Sequence, residues 1–140
     1  MKKILLILII GLAPALLLSQ NAKMKDLFTD YENSSSFSYS HGTSDTDMNL
    51  GLNSDVEKLF NNVNEVYILK SKNKSSENEI ADFQEKFQKL IDKGSYENLM
   101  EINSDGTFKL YLKRNGDSDP SEVIIIKTDD DSSMYLWATS

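Results

Sequence analysis

The chain has 140 residues, 26% of them charged, and a formal net charge of −7 at pH 7. This acidic balance argues against nucleic acid binding, because contacts from Lys and Arg to phosphates supply most of the non-specific affinity. The absence of cysteine excludes a disulfide framework and a lipid-carrying thiol, and a single histidine offers too few ligands for a zinc site.

The first twenty residues have the pattern of an export signal. A basic start at Lys2 and Lys3 precedes an apolar stretch that a glycine and a proline interrupt. Such a stretch is too short and too broken to span a bilayer, but it is typical of a secretory signal. We predict a signal peptide over residues 1–19, with cleavage after Ser19 or, alternatively, after Ala22. The mature protein is then periplasmic or secreted and has no membrane span.

Residues 23–140 have the length of a single domain. Apolar side chains at helical spacing predict a short first helix, and they are Met24, Leu27, Phe28 and Tyr31. The serine-rich segment of about 33–53 predicts a mobile loop, because it has little apolar surface to offset the entropy of ordering. Within it, Phe37 and Tyr39 alternate with serines and favour a short edge strand.

A second helix is predicted to begin at Ser54, which forms a capping-box pattern with Glu57. Residues 66–69 are apolar and β-branched or aromatic, which is typical of a strand buried on both faces. A long amphipathic helix follows from Glu77 to Lys93, because its apolar residues recur at helical spacing. Gly94 is the expected left-handed residue after this helix.

Four strands are predicted after the long helix, at residues 96–102, 108–113, 123–126 and 134–139. The Asp105-Gly106 pair between the first two is typical of a hairpin turn. The predicted fold class is therefore α+β, with N-terminal helices and one long amphipathic helix packed on a mostly antiparallel sheet of four to six strands.

Three aromatic residues form a candidate binding surface, and they are Tyr111, Tyr135 and Trp137. They alternate along their strands with more apolar residues, which are expected to meet the helices. The aromatic side chains would then lie on the open face of the sheet, where an exposed patch can bind a protein or a ligand. Alternatively, the N-terminal segment or a second subunit covers this face.

A second candidate site is a loose calcium motif, with side-chain oxygens at Asn115, Asp117, Asp119 and Glu122. Carboxylate and amide oxygens suit a hard cation, but the glycine and the distant glutamate of an EF-hand loop are missing. The alternative interpretation is a hairpin turn, which favours Asp and Asn for backbone reasons. The same choice applies to the acidic residues 129–131. We expect no cofactor, and His41 is predicted to be a solvated loop residue rather than a proton-transfer group or a metal ligand.

Several segments resemble domain of unknown function 4252, a family of small exported proteins of Bacteroidota. They read KMKDLFTDYEN, VNEVYILKS, KGSYENLMEI, FKLYLKRNG and EVIIIKTDDD. The resemblance covers nearly all of the mature chain and rests on structural patterns. It implies an α+β domain of the periplasm or envelope, without an activity to carry over.

The expected function is that of a non-enzymatic binding or interaction module of the cell envelope, with an envelope protein as its partner. The sequence contains no glycine-rich phosphate loop and no nucleophile elbow, and its lone histidine limits triad chemistry. Two alternatives remain open at this point. One is a hydrolase that cleaves envelope glycans or peptides through carboxylates, and the other is a structural domain stabilised by calcium.

Overall fold

The computed structural model of the protein describes residues 21–43, 54–72, 77–114 and 120–140. The predicted signal peptide lies outside these ranges. Within them, no helix combines the length and the apolar character that a membrane crossing requires.

The described chain folds into helices and one antiparallel sheet. Helix α1 covers residues 21–30, α2 covers Ser54–Glu57 and continues as a 3-10 turn over Lys58–Phe60, and α3 covers Glu77–Lys93. The strands are β1 Phe37–Thr43, β2 Glu65–Ser71, β3 Glu97–Asn103, β4 Thr107–Lys113, β5 Glu122–Thr128 and β6 Ser133–Thr139.

The sheet has six strands in the order β1-β2-β6-β5-β4-β3, and each neighbouring pair is antiparallel. The predicted combination of helices with an antiparallel sheet is thus confirmed, at the upper end of the expected strand number. Strands β3 to β6, which correspond to the four strands predicted after the long helix, form an antiparallel meander. Helix α3 links β2 to β3, which run in the same direction but are separated by the other three strands of that meander. The crossover therefore leaves β3 at the far edge of the sheet.

Helices α1 and α3 cover one face of the sheet. The four apolar residues of the predicted first helix, Met24 to Tyr31, are buried. Phe83, Phe87 and Ile91 of α3 are buried as well. The ring of Phe28 meets Phe83 and Phe87 edge-on, with centroids 5.5 and 5.4 Å apart. Such edge-to-face pairs add to the stabilisation from apolar burial. This face therefore holds an aromatic core between α1, α3 and the sheet.

The opposite face of the sheet is also buried, against the segment of α2. Its core residues are Val56, Val63, Val66, Ile68, Leu110, Leu112, Val123, Ile125, Leu136 and Ala138. The prediction that the helices pack on a single face is therefore wrong. The central strands carry apolar side chains on both faces, and both must be removed from water.

The end of α3 differs from its prediction at Gly94. The left-handed residue is Ser95, with φ 58°, and Gly94 has no such conformation. A Cβ at Gly94 would lie 2.2 Å from Cε2 of Tyr96. The glycine is therefore required by the close approach of the Tyr96 ring rather than by backbone dihedrals.

Hydrogen bonds fasten the segment after α1 to the first turns of α3. The hydroxyls of Ser34 and Ser36 donate to the two carboxylate oxygens of Glu79, and the Tyr31 hydroxyl donates to Oδ2 of Asp82 at 2.9 Å. These contacts and β1 order the first part of the predicted serine-rich loop. Its remainder, residues 44–53, lies outside the described residues.

These two carboxylates make the free energy of unfolding depend on pH. Hydrogen bonds from Ser34 and Ser36 lower the pKa of Glu79, and hydrogen bonds from Lys86 and Tyr31 lower the pKa of Asp82. A lowered pKa in the folded state stabilises the fold above the unfolded pKa of about 4, and this contribution is lost as the pH falls through the folded value. We expect the Glu79→Gln variant to unfold at lower urea concentration than the wild type at pH 7.

The gap between the two urea midpoints, measured by circular dichroism, should shrink as the pH falls from 5 to 2.5. Lys89→Gln serves as the matched control, since it alters a single exposed charge of the same helix. A gap for Glu79→Gln that stays constant across this pH range would contradict the prediction.

Candidate binding surface

The predicted aromatic site lies in the core and not on an open face. Tyr111, Tyr135 and Trp137 are 7%, 1% and 2% exposed. The sequence pattern correctly places these residues and the pair Leu110 and Leu112 on opposite faces of the sheet. However, the face that α1 and α3 cover is the aromatic one. The phenylalanines of these helices pack against it, with the Phe83 and Tyr135 centroids 4.9 Å apart. This face is therefore not open, and the alternative that the N-terminal segment covers it is the one that the structure supports, with α3 packed beside α1.

A row of stacked rings leads from this core to the β1 edge. Trp137 stacks on Tyr67 with centroids 5.1 Å apart, and Tyr67 stacks on His41 at 4.2 Å with an interplanar angle of 7°. His41 thus belongs to β1 and not to a loop, and its exposed imidazole covers a buried tyrosine. The Tyr67 hydroxyl donates to Glu65 at 2.9 Å, and burial together with this bond raises the pKa of Tyr67 to about 12.

Glu122, from the predicted calcium set, is a buried carboxylate that the protein itself satisfies. Its Oε1 accepts hydrogen bonds from the Tyr96 hydroxyl at 2.6 Å and from Nε1 of Trp137 at 2.8 Å. Its Oε2 lies 3.6 Å from Nζ of Lys113. Burial and the charge of Glu122 raise the pKa of Tyr96. Each carboxylate oxygen of Glu122 therefore already has a partner within the fold.

The other predicted calcium ligands, Asn115, Asp117 and Asp119, lie outside the described residues. Within the part of the chain that the structure describes, no group of three or more His, Cys, Asp or Glu side chains is placed to hold a metal ion. The acidic turn has a backbone role, since Oδ1 of Asp129 accepts the N–H groups of Asp131 and Ser132 at 2.9 and 2.7 Å. These bonds lower the pKa of Asp129 and support the turn interpretation.

The β3 edge, defined as the outer side of Glu97–Asn103, is the candidate binding surface. Among the described residues, the exposed large apolar side chains are Leu99, Met100 and Ile102, at 45%, 38% and 48%. All three belong to this strand, and every residue of it is exposed. As the last strand of the sheet, β3 pairs only with β4 within the described residues. Its outer backbone groups therefore face away from the sheet.

The register shows how β3 extends the sheet beyond its covered area. Met100 lies opposite Leu110 and Ile102 lies opposite Phe108, so both continue the apolar face covered by α2. A β-bulge between Asn98 and Met100 interrupts the pairing at Leu99. The apolar face thus extends beyond the part of the sheet that α2 covers. At β3 its side chains, Met100 and Ile102, are exposed to solvent.

Charges on β3 lie next to these apolar residues. Glu101 is opposite Lys109 of β4, with 3.5 Å between a carboxylate oxygen and Nζ, and Glu97 is opposite Leu112. The strand itself carries two glutamates and no Lys or Arg. An acidic and apolar edge is therefore available to a partner strand.

The β1 edge differs in character from the β3 edge. Its exposed residues are Ser38, Ser40, His41 and Thr43, and its large apolar side chain Phe37 is buried. Strand edges are commonly protected by polar or charged side chains. The described sheet thus has a polar edge at β1 and an edge at β3 that is both acidic and apolar.

The sequence predicted a strand at the position of β3, but it did not indicate that this strand would be exposed. The one available signal is the adjacent pair Leu99 and Met100, which breaks the alternation expected of a strand with one covered face. This break coincides with the β-bulge. Because the edge position follows from the long α3 crossover, local sequence could not reveal it.

The fold and its open edge define a small α+β domain built on one antiparallel sheet. Residues 9–138 match the family model described as Domain of unknown function (DUF4252), and the chain therefore belongs to this family. The resemblance found in the sequence is thus confirmed at the level of the family. No curated protein matches the chain, and no solved structure matches it.

Proposed function

We propose that this protein is a non-enzymatic binding module of the cell envelope that captures an extended polypeptide segment at the β3 edge. The observation that carries the proposal is the concentration of exposed apolar side chains, Leu99, Met100 and Ile102, on one open edge strand. The predicted export signal supports a location in the envelope.

Strand addition is the binding mode that this geometry favours. An extended segment that pairs with an open edge gains main-chain hydrogen bonds, and its side chains contact those of the edge strand. On β3, a partner would cover apolar surface that is otherwise exposed to water. Natural proteins avoid exposed apolar edges because they invite unwanted pairing, so an edge of this kind favours a binding role.

The shifted pKa values in the described residues have structural causes and do not point to catalysis. The hydroxyls of Tyr31, Tyr67 and Tyr96 each donate to a carboxylate on another part of the fold or on a neighbouring strand position. The carboxylate of Glu122 is enclosed by its donors. These groups stabilise the core, which favours a binding role over hydrolysis through carboxylates.

Photo-crosslinking in cells tests this proposal. A photo-reactive phenylalanine analogue replaces Leu99 on the β3 edge in one strain and Ser40 on the β1 edge in a matched control strain. We expect a recurring envelope protein to crosslink from position 99 and not from position 40. The crosslink should disappear when Met100→Lys and Ile102→Lys are added, because edge lysines block strand pairing.

The lysine variants should keep the fold, since substitutions at exposed positions change the free energy of unfolding by only about 0.5 kcal/mol. Circular dichroism with urea checks this point. Equal crosslinking from both edges, or crosslinking from position 99 that survives both lysines, would overturn the proposal.

A further inference from the structure

We propose that the segment bound at the β3 edge is cationic, with Lys or Arg alternating with apolar residues. This inference rests on the proposed function and names the chemistry of its partner. It follows from the charges of β3, from the strand that already pairs with β3, and from the turns at the end of the strand.

The charges of β3 all have one sign. Glu97 and Glu101 are its only ionisable residues, and they lie on either side of the exposed pair Leu99 and Met100. Opposite charges on directly facing residues stabilise a strand pair, and like charges destabilise it. The two glutamates lie on different faces of the sheet, since Glu101 is opposite Lys109 and Glu97 is opposite Leu112. A partner that pairs with β3 is therefore favoured when it places a cation opposite Glu101 and no anion opposite Glu97.

Strand β4 shows which pattern pairs well with β3. It presents Phe108 to Ile102, Lys109 to Glu101 and Leu110 to Met100, so its apolar and cationic residues alternate. The salt bridge between Lys109 and Glu101 is 3.5 Å long and lies at the surface. A strand on the outer side of β3 meets the same three side chains, and the same alternation suits them.

The turns at the end of β3 extend the negative field. Asp105 follows the strand, and it lines one surface hollow together with the three aspartates of the β5–β6 turn, Asp129, Asp130 and Asp131. These residues are exposed. The net charge of the whole chain, −7, has the same sign. A cationic segment would therefore be steered toward this end of the sheet, because complementary charge raises the rate of encounter.

The same charges disfavour a second copy of the chain as the occupant. Antiparallel pairing of two β3 strands would bring two copies of Glu97 and Glu101 into one junction. Strand β3 itself has no cation to offset them, and Lys109 of β4 pairs with one of the two glutamates, Glu101. A cationic partner avoids this repulsion and still covers Leu99, Met100 and Ile102.

Binding of synthetic peptides to the full chain tests the inference. Three labelled eleven-residue peptides share alternating valines and differ in the intervening residue, which is Lys, Gln or Glu. We expect fluorescence anisotropy to show the Lys peptide binding about tenfold more tightly than the Gln peptide, and the Glu peptide more weakly still. The advantage of the Lys peptide should shrink in the Glu97→Gln, Glu101→Gln double variant.

Two controls separate strand pairing from general attraction between opposite charges. A Lys peptide with alternate backbone amides methylated keeps its charge but cannot complete the edge hydrogen bonds, and it should bind at least about tenfold more weakly. In the protein, Ile102→Lys should abolish binding, whereas Ser40→Lys on the β1 edge changes the net charge equally and should reduce binding only slightly.

The outcomes distinguish this inference from the proposed function. Equal or stronger binding of the Gln or Glu peptide, still lost in Ile102→Lys, would overturn the cationic partner while leaving the β3 edge as the binding site. Full binding of the methylated peptide, or binding unaffected by Ile102→Lys, would overturn both.

Discussion

Trp137→Ala is expected to lower the free energy of unfolding by about 3 to 5 kcal/mol, the usual cost of truncating a large aromatic residue in a core. Trp137 is 2% exposed, stacks on Tyr67 and contacts the ring of Phe28. Its removal leaves a cavity between α1 and the sheet and deprives Glu122 of a donor. Urea unfolding followed by circular dichroism measures the loss, since Trp137 is the only tryptophan and its fluorescence disappears with it.

Two controls identify the cause of the loss. Trp137→Phe keeps a ring but removes the N–H group, and it should cost about 1 to 2 kcal/mol. Ile102→Ala removes apolar atoms from the exposed β3 edge and should cost about 0.5 kcal/mol. A Trp137→Ala variant as stable as Ile102→Ala would show that Trp137 does not lie in the core.

Glu122→Ala is expected to cost about 2 to 4 kcal/mol, because it leaves one buried and one part-buried donor without their acceptor. These donors are the Tyr96 hydroxyl and Nε1 of Trp137, and Lys113 loses its carboxylate partner as well. The loss should appear as a lower urea midpoint at pH 7. Glu122→Gln retains an acceptor oxygen and should cost less than half as much.

A double-mutant cycle with Tyr96→Phe tests the proposed cause. In the Tyr96→Phe background one donor is already gone, so Glu122→Ala should cost less there than in the wild type. Additive losses from the two substitutions would contradict the assignment of the Tyr96–Glu122 hydrogen bond as a stabilising interaction.

Local patterns predicted the elements whose structure depends on their own residues. Helix α3 has the predicted bounds, Glu77–Lys93, because its apolar spacing and its i,i+4 charge pairs agree. The pairs Asp82–Lys86 and Glu85–Lys89 are present at 3.0 and 3.3 Å. The β3–β4 hairpin is likewise marked by Asp105 and Gly106, both with positive φ.

Features that depend on distant parts of the chain could not be predicted in the same way. Both faces of the central strands are apolar, so alternation separated Tyr111 from Leu110 but could not tell which set meets α3. The burial of Glu122 likewise requires Tyr96 and Trp137, which come from other strands or loops. The exposure of β3 follows from topology, since the crossover places it beyond the strands that the helices cover.

The difference between the two sheet edges has a consequence for the stoichiometry of any complex formed by strand addition. A molecule with two apolar edges could join a partner on each side and so propagate a fibre. Here the apolar residues lie on β3, while the exposed side chains of β1 are serines, a threonine and a histidine. Among the described residues only the β3 edge combines an open strand with exposed apolar side chains. Under the proposed strand addition we therefore expect one partner strand per molecule. Complexes of this protein should close at a single added strand rather than polymerise.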